Sequence, residues 1–360
     1  MLPQKNSNSN DQSRELQETV KQAYTEQTLL SIIGHGTKSF YGPAAEGQPF
    51  SVAPHYGIID YEPSELVITA RAGTPLTDIE ALLEEQGQML AFEPPHYGNG
   101  ATLGGTIASG FSGPSRPYTG AARDFVLGIQ CLNGKGELLK FGGQVMKNVA
   151  GYDVSRLMVG AMGTLGVLLE VSLKVMPKPI HEITRVLEKS PDEAINAMNT
   201  WAAQPLPLSA ASYVDGQLYV RLSGTKGGVK AAVHKIGGEE YVTGQSFWQA
   251  LREHQHLFFQ DQTPLWRLSL APATPPLELP GQWLLDWGGA QRWLKSDALA
   301  DDIRAAVEQV GGHATLFRCP NKSAPIFHPL SPPLAQLHDR LKKAFDPKLI
   351  LNYRQAWESI

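Results

Sequence analysis

GATLGGTIASGFSGPSRPYTGAARDFVLG (Gly100–Gly128) sets seven glycines among apolar anchors such as Leu103, Ile107 and Phe125. Glycine loses more backbone entropy on ordering than any other residue, so a run this dense marks main chain that must come close to something. A flexible linker would be polar and low in complexity, and the apolar anchors argue against one. Amides of such a loop can converge on an anion, as in phosphate-binding nests. The stretch therefore reads as a phosphate cradle built into a folded core.

Two more glycine segments stand outside it, GHGTKS (Gly34–Ser39) and GAMGTLG (Gly160–Gly166). One glycine loop can be a simple turn. Three in one half of the chain fit a large cofactor, since a dinucleotide needs many amide donors for its pyrophosphate and a slot of close backbone for its ring. A nicotinamide-type Rossmann site would show G-x-G-x-x-G between strand and helix, with an acid about 20 residues on. The first loop offers only Gly34-His35-Gly36, with Ser39 where the third glycine would stand. The P-loop pattern G-x-x-x-x-G-K-S/T is absent as well.

Around these loops the pattern alternates strands and helices. An amphipathic helix is expected over 12–27 and a strand over 29–33 running into the first loop. Strands follow at 57–61 and 66–72, then a helix opened by Thr74-Pro75 and stopped at Gly87. Strands at 125–133 and 137–141 are joined by Gly134-Lys135-Gly136, a hairpin by its turn chemistry. Pro177-Lys178-Pro179 punctuates both helix and strand and marks a domain boundary. Beyond it the order becomes βαββαβ, with a strand pair about Asp215-Gly216, which implies an antiparallel sheet with helices on one face. Further strands are expected at 265–270, 283–287 and 314–318, with helices over 297–309 and 334–345.

At 360 residues the chain is long enough for two domains with their own cores. Its 42% hydrophobic and 18% charged residues are those of a globular protein, and a net charge of −4 argues against a nucleic-acid binder. No apolar run approaches the ~20 residues of a membrane-spanning helix. The opening MLPQKNSNSNDQSR (Met1–Arg14) lacks the apolar core of a secretory signal and reads as a disordered tail, so a cytoplasmic location is expected. The two cysteines, Cys131 and Cys319, cannot supply the four thiolates an iron–sulfur cluster takes, so any such relay must come from another chain. They read as small buried hydrophobes.

Five pieces of the chain match a family. They are IIGHGTKSF (Ile32–Phe40), DYEPSELVITARAGTPL (Asp60–Leu76), GQMLAFEPPHYGNGATLGGTIASGFSGPSRPYTGAARDFVLG (Gly87–Gly128), KNVAGYDVSRLMVGAMGTLG (Lys147–Gly166) and FDPKLILN (Phe345–Asn352). The chain resembles flavoproteins of the vanillyl-alcohol-oxidase/p-cresol-methylhydroxylase (PCMH) type, and among them the FAD-binding subunits of glycolate dehydrogenase, also called glycolate oxidase. The match is dense from about residue 28 to 180 and thin from 185 to 330. GPSRPYTG and KNVAGYD are its more specific segments.

The resemblance implies an α+β fold: a PCMH-type FAD-binding domain of two α+β subdomains, with a smaller antiparallel-sheet cap. The expected division is a tail over 1–14, the FAD-binding domain over 15–180, a reduced α+β cap over 181–333, and a C-terminal helix and segment over 334–360 returning to the FAD domain. Carried over residue by residue, Gly34, His35, Gly36, Thr37, Lys38 and Ser39 would offer main chain to the pyrophosphate. Thr102, Gly104, Gly105, Ala108 and Ser109 would line the second phosphate and the flavin wall, with Pro95 beside it. Gly163, Gly166 and Val167 would pass along the adenine half, and Asp124 would anchor the loop that folds over the cofactor. Arg116 suits either a flavin phosphate or a carboxylate, and equally a structural salt bridge. Lys147 and Tyr152 carry the same two readings.

Some members of this superfamily attach FAD covalently through a histidine in the first loop. The matching position here is Thr37, so non-covalent FAD is expected, with His35 a locally bonded loop imidazole. Oxidation of a 2-hydroxy acid needs a base for the hydroxyl and cations for the carboxylate. The histidines of the second half, His234, His254, His256, His313, His328 and His338, show no metal-ligand spacing beyond His254-x-His256. A helix over that pair would point the two rings apart. No metal site and no catalytic residue is assigned. The tryptophans Trp283, Trp287 and Trp293 read as core or partner surface. The end of the chain departs from the family, with Asn352-Tyr353-Arg354 where Asn-Pro-Gly is common.

The resemblance thus implies an FAD-binding subunit of a multi-subunit glycolate dehydrogenase, working in oxidation of glycolate to glyoxylate. A larger FAD-containing subunit and an iron–sulfur subunit would be its partners, and membrane contact would come only through them. Two rivals stand: a self-sufficient FAD-dependent oxidase or dehydrogenase of glycolate or D-lactate, and an assembly subunit without catalysis.

Overall fold

The computed structural model describes residues 9–43, 46–143, 154–319 and 325–353. Two compact units divide the chain, the first made of 1–111, 121–177 and 329–360 and the second of 112–120 and 178–328.

Among the described residues the first unit holds three sheets and their helices, one of them only the pairing of Gln88–Met89 with Met176–Pro177. Leu30–Ile33 and Gln48–Ser51 pair in parallel, and Leu351 bridges Leu30 from the far end of the chain. The second sheet is antiparallel, in the order Ile58–Glu62, Val67–Arg71, Val167–Lys174, Val126–Leu132, Leu138–Gly142. Its central strand VLLEVSLK is buried at six of eight positions, as a strand covered on both faces must be. The edge strand Leu138–Gly142 alternates exposed and half-buried instead. Helix Ser13–Glu26 buries Leu16, Val20 and Ala23, spaced along one face, into the same core.

Residues expected in the disordered tail belong to this unit from Ser9 onward. Asn10 exchanges backbone hydrogen bonds of 2.9 and 3.1 Å with Tyr56, and the Arg71 guanidinium donates to Asp11 Oδ2 at 3.0 Å. Hydrogen bonds from the Ser13 hydroxyl and amide, helped by Arg71, hold the Asp11 carboxyl well below the usual carboxylate range. A polar segment was legible there, but its partners lie more than forty positions away in the chain. Residues 1–8 lie outside the described ones.

The second unit is one eight-stranded antiparallel sheet. Its order is Glu239–Glu240, His181–Glu188, Gln217–Gly224, Leu208–Val214, Gln282–Asp286, Gln291–Lys295, Leu265–Ser269, His313–Arg318. Its first four strands carry the βαββαβ connection read from the sequence, with Asp215 (φ 51°) and Gly216 (φ 78°) turning the hairpin in the left-handed region. Helices Pro191–Ala202 and Lys226–Ile236, capped by Ser190 and Thr225, bury Ala194, Ile195, Met198, Val229 and Ala232 against this half. Helix Ala300–Gln309 covers the other half through Ile303 and Val307.

The segment 112–120 falls in this second unit, not with the glycine loops on either side of it in sequence. Tyr118 packs on the core beside Tyr213 and Leu218, and burial pushes its phenol far up. His254 lies beyond the end of helix Gly244–Arg252, with φ 55°, so the expected helix over the His254-x-His256 pair stops short of it. The strand Gln291–Lys295 carries Trp293 into a ring cluster, a strand that periodicity did not reveal.

Candidate functional site

A groove in the first unit spans about 930 Å³ of space, open solvent included. Its walls are the three glycine segments. Gly34 to Ser39 form one wall, Thr102, Gly104, Gly105, Ala108 and Ser109 a second, and Met162, Gly163 and Gly166 a third. Thirteen residues singled out from sequence meet here: Gly34, His35, Gly36, Thr37, Lys38, Ser39, Thr102, Gly104, Gly105, Ala108, Ser109, Gly163 and Gly166.

Local chemistry explains the geometry. The strand Leu30–Ile33 ends at Gly34, where the chain leaves its parallel partner. A Cβ on Gly34 would sit 2.5 Å from Thr102 Oγ1, so only glycine lets the first loop lie this close to the second. Thr102 caps the helix Leu103–Ser109, its Oγ1 accepting the Gly105 amide at 3.2 Å. A Cβ on Gly104 would stand 2.8 Å from Ala72 Cβ, so glycine also sets how closely that helix lies on the strand Val67–Arg71.

The amides divide into two sets. Those of Leu103 and Gly104, at the start of the helix, donate to Thr74 O at 2.9 Å and Ala72 O at 2.7 Å and are used up by the fold. In the first loop, among the described residues, the amides of Gly34, His35, Gly36 and Thr37 donate to no protein group, while that of Ser39 donates to Gly36 O at 3.0 Å. Consecutive unpartnered main-chain donors along a groove are what a diphosphate needs, since its oxygens accept and never donate. Lys38 adds a cation at the same wall, its Nζ donating to His96 O at 3.3 Å. These residues fit a dinucleotide cofactor with a diphosphate bridge.

His35 donates from Nδ1 to Gly100 O at 2.8 Å, because a carbonyl can only accept. The imidazole thus ties the first glycine loop to the second. Beside the groove, Tyr41 and Tyr97 meet Phe111 edge to face at 4.9 and 5.9 Å. The ionisable side chains among the described groove-lining residues are His35, Lys38 and Tyr41.

Four of the candidates lie outside the groove lining. Val167 opens the central strand, is fully buried in the core and pairs with Leu132. Pro95 is buried in the turn after Glu93, a residue with φ 48°. Asp124 accepts the Ala121 amide at 2.9 Å and closes its own short turn. Arg116 belongs to the second unit, where its guanidinium lies 4.2 Å from the Trp287 ring centroid and the Trp287 indole donates to Gly113 O at 2.9 Å. An arginine flanked by Ser and Pro can serve either purpose, and only the fold shows that an aromatic ring claims it. Lys147 and Tyr152 lie outside the described residues.

Sequence reasoning missed one wall residue that bridges two others. Asn352, read only as a departure from the family ending, lies in the groove lining and is almost fully buried. Its signal was its position beside FDPKLIL, but its partners are some two hundred and three hundred residues away.

A sequence-family model described as "FAD binding domain" matches residues 11–142, which contain two of the three walls. Glycolate oxidase subunit GlcE of Escherichia coli (strain K12) is 51% identical over 342 residues, covering 95% of this chain and 96% of that protein. The chain belongs to this GlcE family of glycolate oxidase subunits. The GlcE family is one of FAD-dependent oxidoreductases, with FAD as its cofactor. Glycolate oxidase subunit GlcD of Bacillus subtilis (strain 168) is 34% identical, but over 124 residues that make up 34% of this chain and 25% of that protein. Among solved structures, alkyldihydroxyacetonephosphate synthase superposes with a TM-score of 0.67 at 14% identity, over 96% of this chain and 76% of that one. At that identity the likeness shows the fold alone, which is the α+β PCMH-type architecture with an antiparallel-sheet domain. No helix among the described residues is long and apolar enough to cross a membrane.

Proposed function

We propose that this chain is the FAD-binding subunit of a multi-subunit glycolate dehydrogenase and takes part in oxidation of glycolate to glyoxylate. The observation that carries the reading is the 51% identity to a glycolate oxidase subunit over nearly the whole of both chains. It is supported by a groove whose unpartnered amides suit a diphosphate.

Bound FAD would supply the acceptor for the two electrons that leave the CH–OH group. The chain's own part would be to hold it: the Gly34–Thr37 amides and the Lys38 ammonium would serve the diphosphate, and Gly104 and Gly105 would allow close approach at the second wall. Attachment is non-covalent, because Thr37 stands where related chains carry the linking histidine, and His35 Nδ1 is engaged with Gly100 O. The cap is short, and the substrate-oxidising site would lie in the larger FAD-containing partner subunit.

An iron–sulfur subunit completes the path, since a cluster needs about four thiolates and this chain has two cysteines. Burial pushes the Cys131 thiol up to about 12, leaving it protonated and inert at neutral pH. The complex would be cytoplasmic, with any membrane contact made by a partner.

The test is an absorption spectrum of the purified chain with and without added FAD, followed by glycolate turnover alone and after co-expression with candidate partner subunits. The expected result is a yellow protein that releases its flavin into the supernatant on acid precipitation and turns glycolate over only with partners. Turnover of glycolate or D-lactate by the isolated chain would favour a self-sufficient oxidase. A colourless chain that FAD cannot reconstitute would leave an assembly role.

A further inference from the structure

The groove walls at Ile32 and Met162 are far apart in sequence and share no strand. One side chain joins them. Asn352 Oδ1 accepts the Ile32 amide at 2.6 Å, and its Nδ2 donates to Met162 O at 2.6 Å. Its own amide donates to Leu30 O at 2.9 Å, extending the pairing of Leu351 with Leu30. Asn352 is 2% exposed and sits at φ 41°, a left-handed backbone that asparagine adopts more readily than most residues.

The segment that carries it is itself pinned. Asp346, fully buried, accepts the amides of Ile350 at 3.1 Å and Leu351 at 2.8 Å. The Lys342 ammonium donates to Asp346 Oδ2 at 2.8 Å, to Leu351 O at 2.7 Å and to Thr164 O at 2.7 Å. The last of these ties the same segment to the Gly160–Gly166 loop a second time.

We propose that Asp346–Asn352 is a clasp on which retention of the cofactor depends, with the Asn352 carboxamide as the positioning residue that sets the spacing of the two walls. The proposal rests on the groove being the FAD site. Without the carboxamide, the Ile32 amide and the Met162 carbonyl lose their link, and the first loop is no longer held in register with the third. Gly163 marks how tightly the carboxamide is seated, since a Cβ there would lie 2.7 Å from Asn352 Nδ2 and 3.4 Å from Ile32 Cδ1.

The experiment compares the full-length wild type with Asn352→Ala and Asn352→Gly. FAD affinity and release rate are read by flavin fluorescence, and the melting temperature of the apo-protein is read separately. Glycine suits φ 41°, so the pair separates loss of the carboxamide from backbone strain. Two hydrogen bonds of ordinary net worth are lost, so both variants should bind FAD about tenfold or more weakly, with faster release. The apo-protein should remain folded by circular dichroism.

Dissociation constants within about twofold of wild type for both variants would overturn the clasp, as would weakening that only follows the fraction unfolded. Should neither variant fold, Asn352→Asp keeps an acceptor for the Ile32 amide and tolerates the left-handed backbone but loses the donor to Met162 O, and it is read by the same criteria. If the wild type binds FAD and the variants bind it equally well, this inference alone fails. If the wild type takes up no FAD, the proposed function fails first.

Discussion

In the first unit close contacts are made by missing side chains: a Cβ on Gly34 or Gly104 would stand 2.5 Å from Thr102 Oγ1 or 2.8 Å from Ala72 Cβ. At the His254 cluster of the second unit they are made by rings. His254 stacks on Phe259 at 3.9 Å, and Trp293 meets Phe317 edge to face at 4.8 Å and His254 at 4.7 Å. The first arrangement brings backbone to backbone and leaves polar main chain facing a groove. The second buries its rings away from solvent. The groove and the ring cluster should therefore answer differently to mutation, ligand and pH.

Six of the seven tryptophans, Trp201, Trp248, Trp266, Trp283, Trp287 and Trp293, lie in the second unit, so indole fluorescence reports on it while flavin uptake reports on the first. The largest effect is expected from Trp293→Ala. Emptying a site that is 4% exposed should cost about 3–5 kcal/mol of stability, read by urea unfolding followed through tryptophan emission. FAD affinity should stay within about twofold; an equal loss of both would break the comparison.

Next in size is Gly34→Ala. The added methyl meets Thr102 Oγ1, and FAD should bind roughly tenfold more weakly, about 1.4 kcal/mol, by fluorescence titration. Adding Thr102→Ala removes the oxygen in the way, so the double variant should bind FAD better than Gly34→Ala alone. A strictly additive pair would show that the two loops do not touch as described.

Thr102→Ala by itself removes the cap of helix Leu103–Ser109 and should lower the stability of the first unit by about 1 kcal/mol, visible as a lower melting temperature of the apo-protein.

The smallest effect is on pH dependence. Burial lowers His254 well below its ordinary 6.5, with Arg318 and Arg267 adding to it, and burial also lowers His256 and His313 in the same unit. Groups whose folded pKa lies below the unfolded one bind more protons when unfolded. Their stability is present above about pH 6.5 and is lost as pH falls below it. The first unit has one such histidine, His55, lowered mainly by burial. Tryptophan-monitored stability should therefore fall more steeply between pH 6.5 and 5 than FAD-monitored stability, and His254→Phe should flatten that slope. Parallel slopes would remove this distinction between the units.

Much of this was readable along the chain. The groove walls lie where Gly34–Ser39, Thr102–Ser109 and Gly163–Gly166 were read, because glycine density follows from backbone approach and is visible in one dimension. The strand VLLEVSLK is mostly apolar, as its buried place in the sheet requires. Val167 and Arg116 lie outside the groove lining for different reasons: one is a core residue next to a groove glycine, the other a cation beside the Trp287 ring, far along the chain. Neither can be told from its neighbours' identities.

By itself the chain's residue pattern pointed to an antiparallel sheet in the second half and to a large phosphate-bearing cofactor, since each rests on periodicity, turn chemistry or glycine content within a short window, while the PCMH-type fold and FAD came through family resemblance. Tertiary structure alone decided which amides are left over for a ligand, that the opening residues from Ser9 pack onto Arg71 and Tyr56, and that Asn352 spans two walls. Those are long-range hydrogen bonds, and a hydrogen bond depends on where two groups meet in space, which no local pattern records.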